Sequence, residues 1–169
     1  MTTRTLAVHP VPGPGAEDVV VGTSGADEGA VFTGTEDGSL FRISHDGRSF
    51  LRYESRAWLL DDESTPLGKA LVESGFWRPV LVDGRPGDEM EATMIRPDGV
   101  AELYLGKAAT TRLEMAADAV AYTPSGLQVT GGHRLFGIVE GALLYAHEIA
   151  IGESGLKPHM SARLLRIGG

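Results

Sequence analysis

The feature that most constrains this chain is its punctuation. Turn signals that close on glycine recur at short, near-regular intervals: "EDG", "HDG", "VDGRPG", "RPDG" and the "VEG" of Val139 to Gly141. Glycine supplies the positive φ that tight hairpin turns require. The runs between these signals are short and rich in alternating apolar residues, as in "VFTGTEDGSLFRISHDGRSFLRYESRAWLL" and "FWRPVLVDGRPGDEMEATMIRPDGVAELYLG". Such spacing predicts an all-β fold, an antiparallel sandwich or barrel. No long amphipathic helix is predicted. "DESTPLGKALVESG" reads as a loop with at most one helical turn after Pro66, and Trp58, Trp77, Phe76, Tyr53, Tyr104 and Phe136 read as core aromatics.

The last hairpin can be drawn from its turn. With Glu140-Gly141 as a two-residue loop, His133 faces Glu148 and Arg134 faces His147. His159 opens the next strand, so three of the five histidines are expected in one region of the sheet.

Composition removes several classes of function. There is no cysteine, which excludes disulfides, thiolate metal sites, iron–sulfur clusters and a cysteine nucleophile. The formal net charge is −8 with no Lys/Arg cluster, so no nucleic-acid partner is expected. The start "MTTRTLAVHPVPGPG" has no apolar stretch of the signal-peptide kind, and no run approaches membrane-span length. A cytoplasmic protein with no membrane partner is expected.

Histidine carries whatever metal chemistry remains. In "LKPHMSARLLR", His159 follows a proline and opens a strand-like run, which suits either an exposed turn residue or an iron ligand. Simple alternation puts Met160, Ala162 and Leu164 on one face and His159 on the other, unless a bulge intervenes. "HEIAI" lacks the second histidine of a zinc-protease helix, since Ile151 stands there, and His147 reads as a strand residue. "SHDG" places Ser44, His45 and Asp46 side by side on a turn, where they cannot line up as a catalytic triad. His9 lies in a Pro-rich lead. The runs Asp61-Asp62-Glu63 and Asp88-Glu89-Glu91 read as solubilising loop or edge charges.

Six segments taken together resemble a known family: "SHDGRSFLRYESRAWLL", "ESGFWRP", "GVAELYLG", "LEMAADAVA", "HRLFGIVEGALLYAHEIA" and "LKPHMSARLLR". They resemble the nitrobindins, haem-binding peroxynitrite isomerases with a fatty-acid-binding-protein-like fold, in their mycobacterial and actinobacterial branch, over residues 42–169. The resemblance implies a small up-and-down antiparallel β-barrel holding haem b in its mouth. It implies His159 as the axial ligand of the haem iron and a second haem contact at His133, where the family usually has lysine. Arg134, beside it, is expected to pair with a haem propionate. His45 would lie near the distal side. The implied activity is isomerisation of peroxynitrite to nitrate at a ferric haem, with binding of nitric oxide by the same iron. No residue beyond the haem iron is expected to be catalytic.

The front of the chain departs from that pattern. The family opens its barrel with a GxWxGxG strand. Here "AVFTGTE" is the nearest match, with Phe32 for the tryptophan and Gly34 for the middle glycine. Residues 8–47 resemble instead the first blade of a gluconolactonase or strictosidine-synthase-like propeller. We expect one domain over 1–169, with an atypical N-terminal segment at 1–41 and the barrel at 42–169. A barrel left open at the front would pair its edges in a homodimer. Three other readings stand beside the first: a non-catalytic carrier of a small apolar ligand or fatty acid without haem, a remnant of a sugar-lactone hydrolase, and a product that folds poorly because its closing strand was replaced.

Overall fold

A computed structural model describes the backbone over 30–34, 39–44, 48–60 and 66–165, and side chains over 48–57 and 71–163. Among the described residues, ten antiparallel strands follow one another in chain order: β1 (Ala30–Gly34), β2 (Ser39–Ser44), β3 (Leu51–Leu60), β4 (Pro66–Val82), β5 (Arg85–Arg96), β6 (Val100–Ala108), β7 (Arg112–Tyr122), β8 (Val129–Val139), β9 (Ala142–Ile151) and β10 (Lys157–Leu165). Each pairs with its neighbours in sequence, and β1 pairs with β10, so the sheet closes into an up-and-down barrel. The closing contact is short, with Thr33 opposite Leu165 and Gly34 opposite Leu164. "AVFTG" therefore takes the place of the barrel's closing strand. Closure also removes the unpaired edge on which the expected homodimer rested.

The turns at "VDG", "RPDG" and "VEG" are those the glycines announced, whereas "EDG" and "HDG" lie outside the described residues. Glu140 and Gly141 both have positive φ, 52° and 80°, as a two-residue hairpin of the favoured hand demands. His133 accordingly faces Glu148, and Arg134 faces His147. Asp83 and Gly84 repeat the same turn between β4 and β5. The segment expected to be a loop after Pro66 is instead the first half of the 17-residue β4. β4 pairs with β3 from Pro66 onwards, through register shifts at Ala57/Trp58 and Leu59/Leu60 that absorb its irregular sequence.

Inward residues alternate along each strand, as on Ala92, Met94 and Arg96 of β5 or Gly132, Arg134 and Phe136 of β8. Tyr53, Trp77, Met90, Met94, Tyr104, Met115, Phe136, Leu143 and Tyr145 form one packed core. Tyr53 stacks on Trp77, and Trp77 packs against Phe136. Phe76 departs from the expected core. It follows the opposite parity to Trp77, lies 49% exposed on the outer face and packs edge-on against Phe50. The side chain of Trp58, together with His9, His45 and 61–63, lies outside the described residues.

Candidate functional site

The barrel's interior changes character from one end to the other. Near the Asp83-Gly84 and Glu140-Gly141 turns it is apolar. Toward the opposite end, bounded by the β5–β6 turn at 97–99 and the β9–β10 connection at 152–156, the inward positions become Glu73, Arg96, Glu102, Arg134 and His147. All five are buried.

These groups neutralise one another. Arg134 grips Glu73 in a fork, Nη1 donating to Oε1 at 2.6 Å and Nη2 to Oε2 at 2.8 Å. Its Nη2 also lies 3.5 Å from Glu102 Oε2, and its guanidinium sits 4.9 Å from the centre of the Tyr104 ring. Tyr53 donates its hydroxyl to Glu73, and Tyr104 donates to Glu102 at 3.0 Å. Arg96 reaches Glu102 at 4.0 Å and donates to Asp98 at 3.3 Å. Two guanidinium and two carboxylate groups thus share one end of the core. Burial alone would raise the Glu73 carboxyl, but the Arg134 guanidinium outweighs it and holds the group down at about 2. Burial pushes both tyrosine hydroxyls upward. Gly132 makes the space for this network: a Cβ there would stand 2.3 Å from the Tyr104 hydroxyl oxygen.

His159 stands over this end of the barrel. On β10, Pro158 pairs with Glu148 but Met160 pairs with His147, so His159 is an extra residue in a bulge. A bulge sets two residues against one and re-aims the side chains beside it. The simple alternation that sent His159 outward therefore fails at this residue. Its ring meets that of the buried His147 edge-on, with centres 5.4 Å apart and planes at 87°. His159 remains exposed on its other side. Partial burial, followed by the nearby Arg96, lowers its affinity for a proton. Burial and then Arg134 push His147 down to about 2, so it is a neutral imidazole.

The other expected site residues lie elsewhere. His133 projects from the outer face, Nε2 at 3.0 Å from Glu114 and Nδ1 at 3.3 Å from Glu148, so carboxylates flank both ring nitrogens. It lines a hollow of about 430 Å³ together with His147, Glu148, Pro158 and His159. Most of that lining, like that of an adjoining hollow of about 830 Å³ along β7–β10, belongs to the outward-facing set. The three histidines of β8, β9 and β10 thus come together as the register predicted and line one hollow, His133 from the outer face and His147 from the buried side. Arg134 is not at a rim: it is 2% exposed and committed to Glu73. Sequence reading missed Glu73, Arg96, Glu102 and the inward His147. The signal that could have found them is parity, since each lies in phase with apolar inward neighbours on its own strand.

A haem needs one imidazole from the protein, because the porphyrin supplies the remaining in-plane donors. The residues present fit that demand. The His159 ring makes no hydrogen bond or ion pair with the described residues, and it is presented at the polar mouth. Among the described residues no group of three or more His, Cys, Asp or Glu is arranged around a bare ion.

Residues 30–166 match the family model described as "THAP4-like, heme-binding beta-barrel domain". The chain belongs to this family. The match takes in β1 and β2, ahead of the position where the resemblance by motifs began. A protein named "Peroxynitrite isomerase" from Salinispora arenicola is 61% identical over 123 residues, 73% of this chain and 63% of that relative. One of the same name from Nocardioides sp. is 42% identical over 120 residues, covering 71% and 70%. The chain thus spans less than two thirds of the Salinispora relative's length. The crystal structure of Rv2717c from M. tuberculosis superposes with a TM-score of 0.63 at 23% identity, covering 77% of this chain and 80% of that one, and shows the same fold.

Proposed function

We propose that this chain binds haem b through His159 and isomerises peroxynitrite to nitrate. The observation that carries the reading is the bulge at His159. It turns an otherwise outward imidazole, which makes no hydrogen bond or ion pair with the described residues and meets the His147 ring edge-on, onto the mouth of a barrel whose family is haem-binding. The names of the relatives from Salinispora and Nocardioides support the choice of substrate.

Bound there, ferric haem would supply a Lewis-acidic iron for the anion. The protein's part is to hold that group and shield it. His159 is neutral at physiological pH and available as a ligand. The floor beneath it is electrically balanced, two arginines against two glutamates, so it neither pulls an anion inward nor repels it. Peroxynitrite and nitrate have the same composition and charge, so no protein acid or base has to deliver a proton. His133 stays in the proposal as a contact at the outer wall. Arg134 reaches a propionate only by giving up Glu73, and its proposed part is support from below. Nitric oxide is the second expected ligand of the iron. We place the protein in the cytoplasm, and a homodimer, if formed, uses a surface other than an open edge.

The carrier reading is the alternative: Tyr53, Trp77, Met94, Tyr104, Met115 and Phe136 pack the described core, and binding of an apolar ligand left unchanged by His159→Ala would favour it. No helix among the described residues is long and apolar enough to cross a membrane. The test is stopped-flow decay of peroxynitrite with haem-loaded protein and nitrate measured at the end. Faster decay with a raised nitrate yield, both lost in His159→Ala, is expected. Decay no faster than with the apo-protein would overturn the proposal.

A further inference from the structure

The residue this structure adds to the haem site is His147. A histidine that ligates a metal almost always donates its other ring N–H to an acceptor, which fixes the tautomer and strengthens the ligand. Around His159 most acceptors are already taken. Glu73 receives Arg134 and Tyr53, Glu102 receives Tyr104, and the Tyr145 hydroxyl is turned to the Met160 sulfur at 2.6 Å.

Five buried side-chain atoms among the described residues have no hydrogen-bond partner: Ser55 Oγ, Trp77 Nε1, Arg96 Nη2, Arg134 Nε and His147 Nε2. Three of these are donors only. Of the two that can accept, His147 Nε2 belongs to the ring that His159 touches. With its own proton on Nδ1, His147 offers Nε2 as an acceptor. The two rings meet edge-on with centres 5.4 Å apart and no hydrogen bond between them, so a turn of either ring would bring an N–H···N bond of about 3 Å within reach.

We infer that His147 is the positioning residue of the haem site, its Nε2 accepting the N–H of His159 and fixing the nitrogen that faces the iron. The inference rests on His159 as the ligand. It also gives a reason for an imidazole in the core, where a leucine would pack without an unpaired nitrogen.

The test compares His147→Gln with His147→Leu. The two differ little in size, but only glutamine keeps an acceptor. Haemin affinity is read by Soret titration, and ligand strength by the iron–histidine stretching band of the ferrous protein in resonance Raman. Leucine is expected to weaken haem binding by about 10- to 100-fold and to lower the stretching frequency. Glutamine is expected to restore most of both. Equal values for the two variants would overturn the inference, because a space-filling role does not separate them. An iron–histidine band missing from the wild type, or persisting in His159→Ala, would show that His159 is not the ligand, and His147 would lose this role with it.

Discussion

The two ends of the barrel interior solve the same packing problem with different chemistry. At one end Trp77, Phe136, Leu143 and Tyr145 exclude water by size. At the other, Glu73, Arg96, Glu102 and Arg134 fill the same kind of inward position with charge. An apolar end is stable piece by piece, since each side chain contributes its own burial. The ionic end is stable only as a set, because each charge would be costly without its partner. The candidate ligand stands at the ionic end. What the difference teaches is that this end is built for a defined geometry, at some cost in robustness.

The largest effect should come from splitting the set. Arg134→Met leaves Glu73 buried and uncompensated and should cost about 3–5 kcal/mol in urea unfolding. Adding Glu73→Leu should recover most of that loss, which no pair at the apolar end would do. Phe136→Ala should also cost about 3–5 kcal/mol, with no second substitution able to restore it.

Acid separates the ends next. The Glu73 carboxyl sits at about 2 in the folded protein against an ordinary 4.5. The unfolded chain therefore takes the proton first, and stability falls as pH drops from about 4.5 toward 2, by about 3 kcal/mol in all. Unfolding followed by far-ultraviolet circular dichroism across that window checks it. In Arg134→Met the sign should reverse, since burial left alone raises the carboxyl. Phe136→Ala should lower the curve without bending it.

Smaller changes sharpen the contrast. Gly132→Ala pushes a methyl against the Tyr104 hydroxyl and should cost about 1–3 kcal/mol in thermal unfolding. Arg78→Ala, which removes the exposed pair with Glu91 at 2.5 Å, should cost less than about 1 kcal/mol and so mark the baseline for charge outside the barrel.

The legibility of the sequence follows the same division. Turn chemistry is local, so Glu140-Gly141 alone was enough to place His133 opposite Glu148 and Arg134 opposite His147. Aromatic size is also a local signal, and Tyr53, Trp77, Tyr104 and Phe136, read as core for that reason, are buried. Phe76 was lost because an aromatic was counted as core without its parity. Residues 66–75 were lost because Pro, Gly and Lys weaken the strand signal, and pairing with β3, joined by β5 from Ser74, holds that segment extended. The pairing of charges in the core was invisible for a different reason. Glu73 and Arg134 are 61 positions apart, and nothing near either one announces the other. His159 lay between the two cases: its motif was legible, but its direction depends on a bulge that exists only once β9 is beside β10.

The most direct measurement is a haemin titration of the purified protein followed in the Soret region, with His159→Ala in parallel. A sharp one-to-one endpoint that is lost in the variant is the predicted result. A folded wild type that binds no haemin, or a variant that binds it equally well, would contradict the assignment of His159 as the ligand.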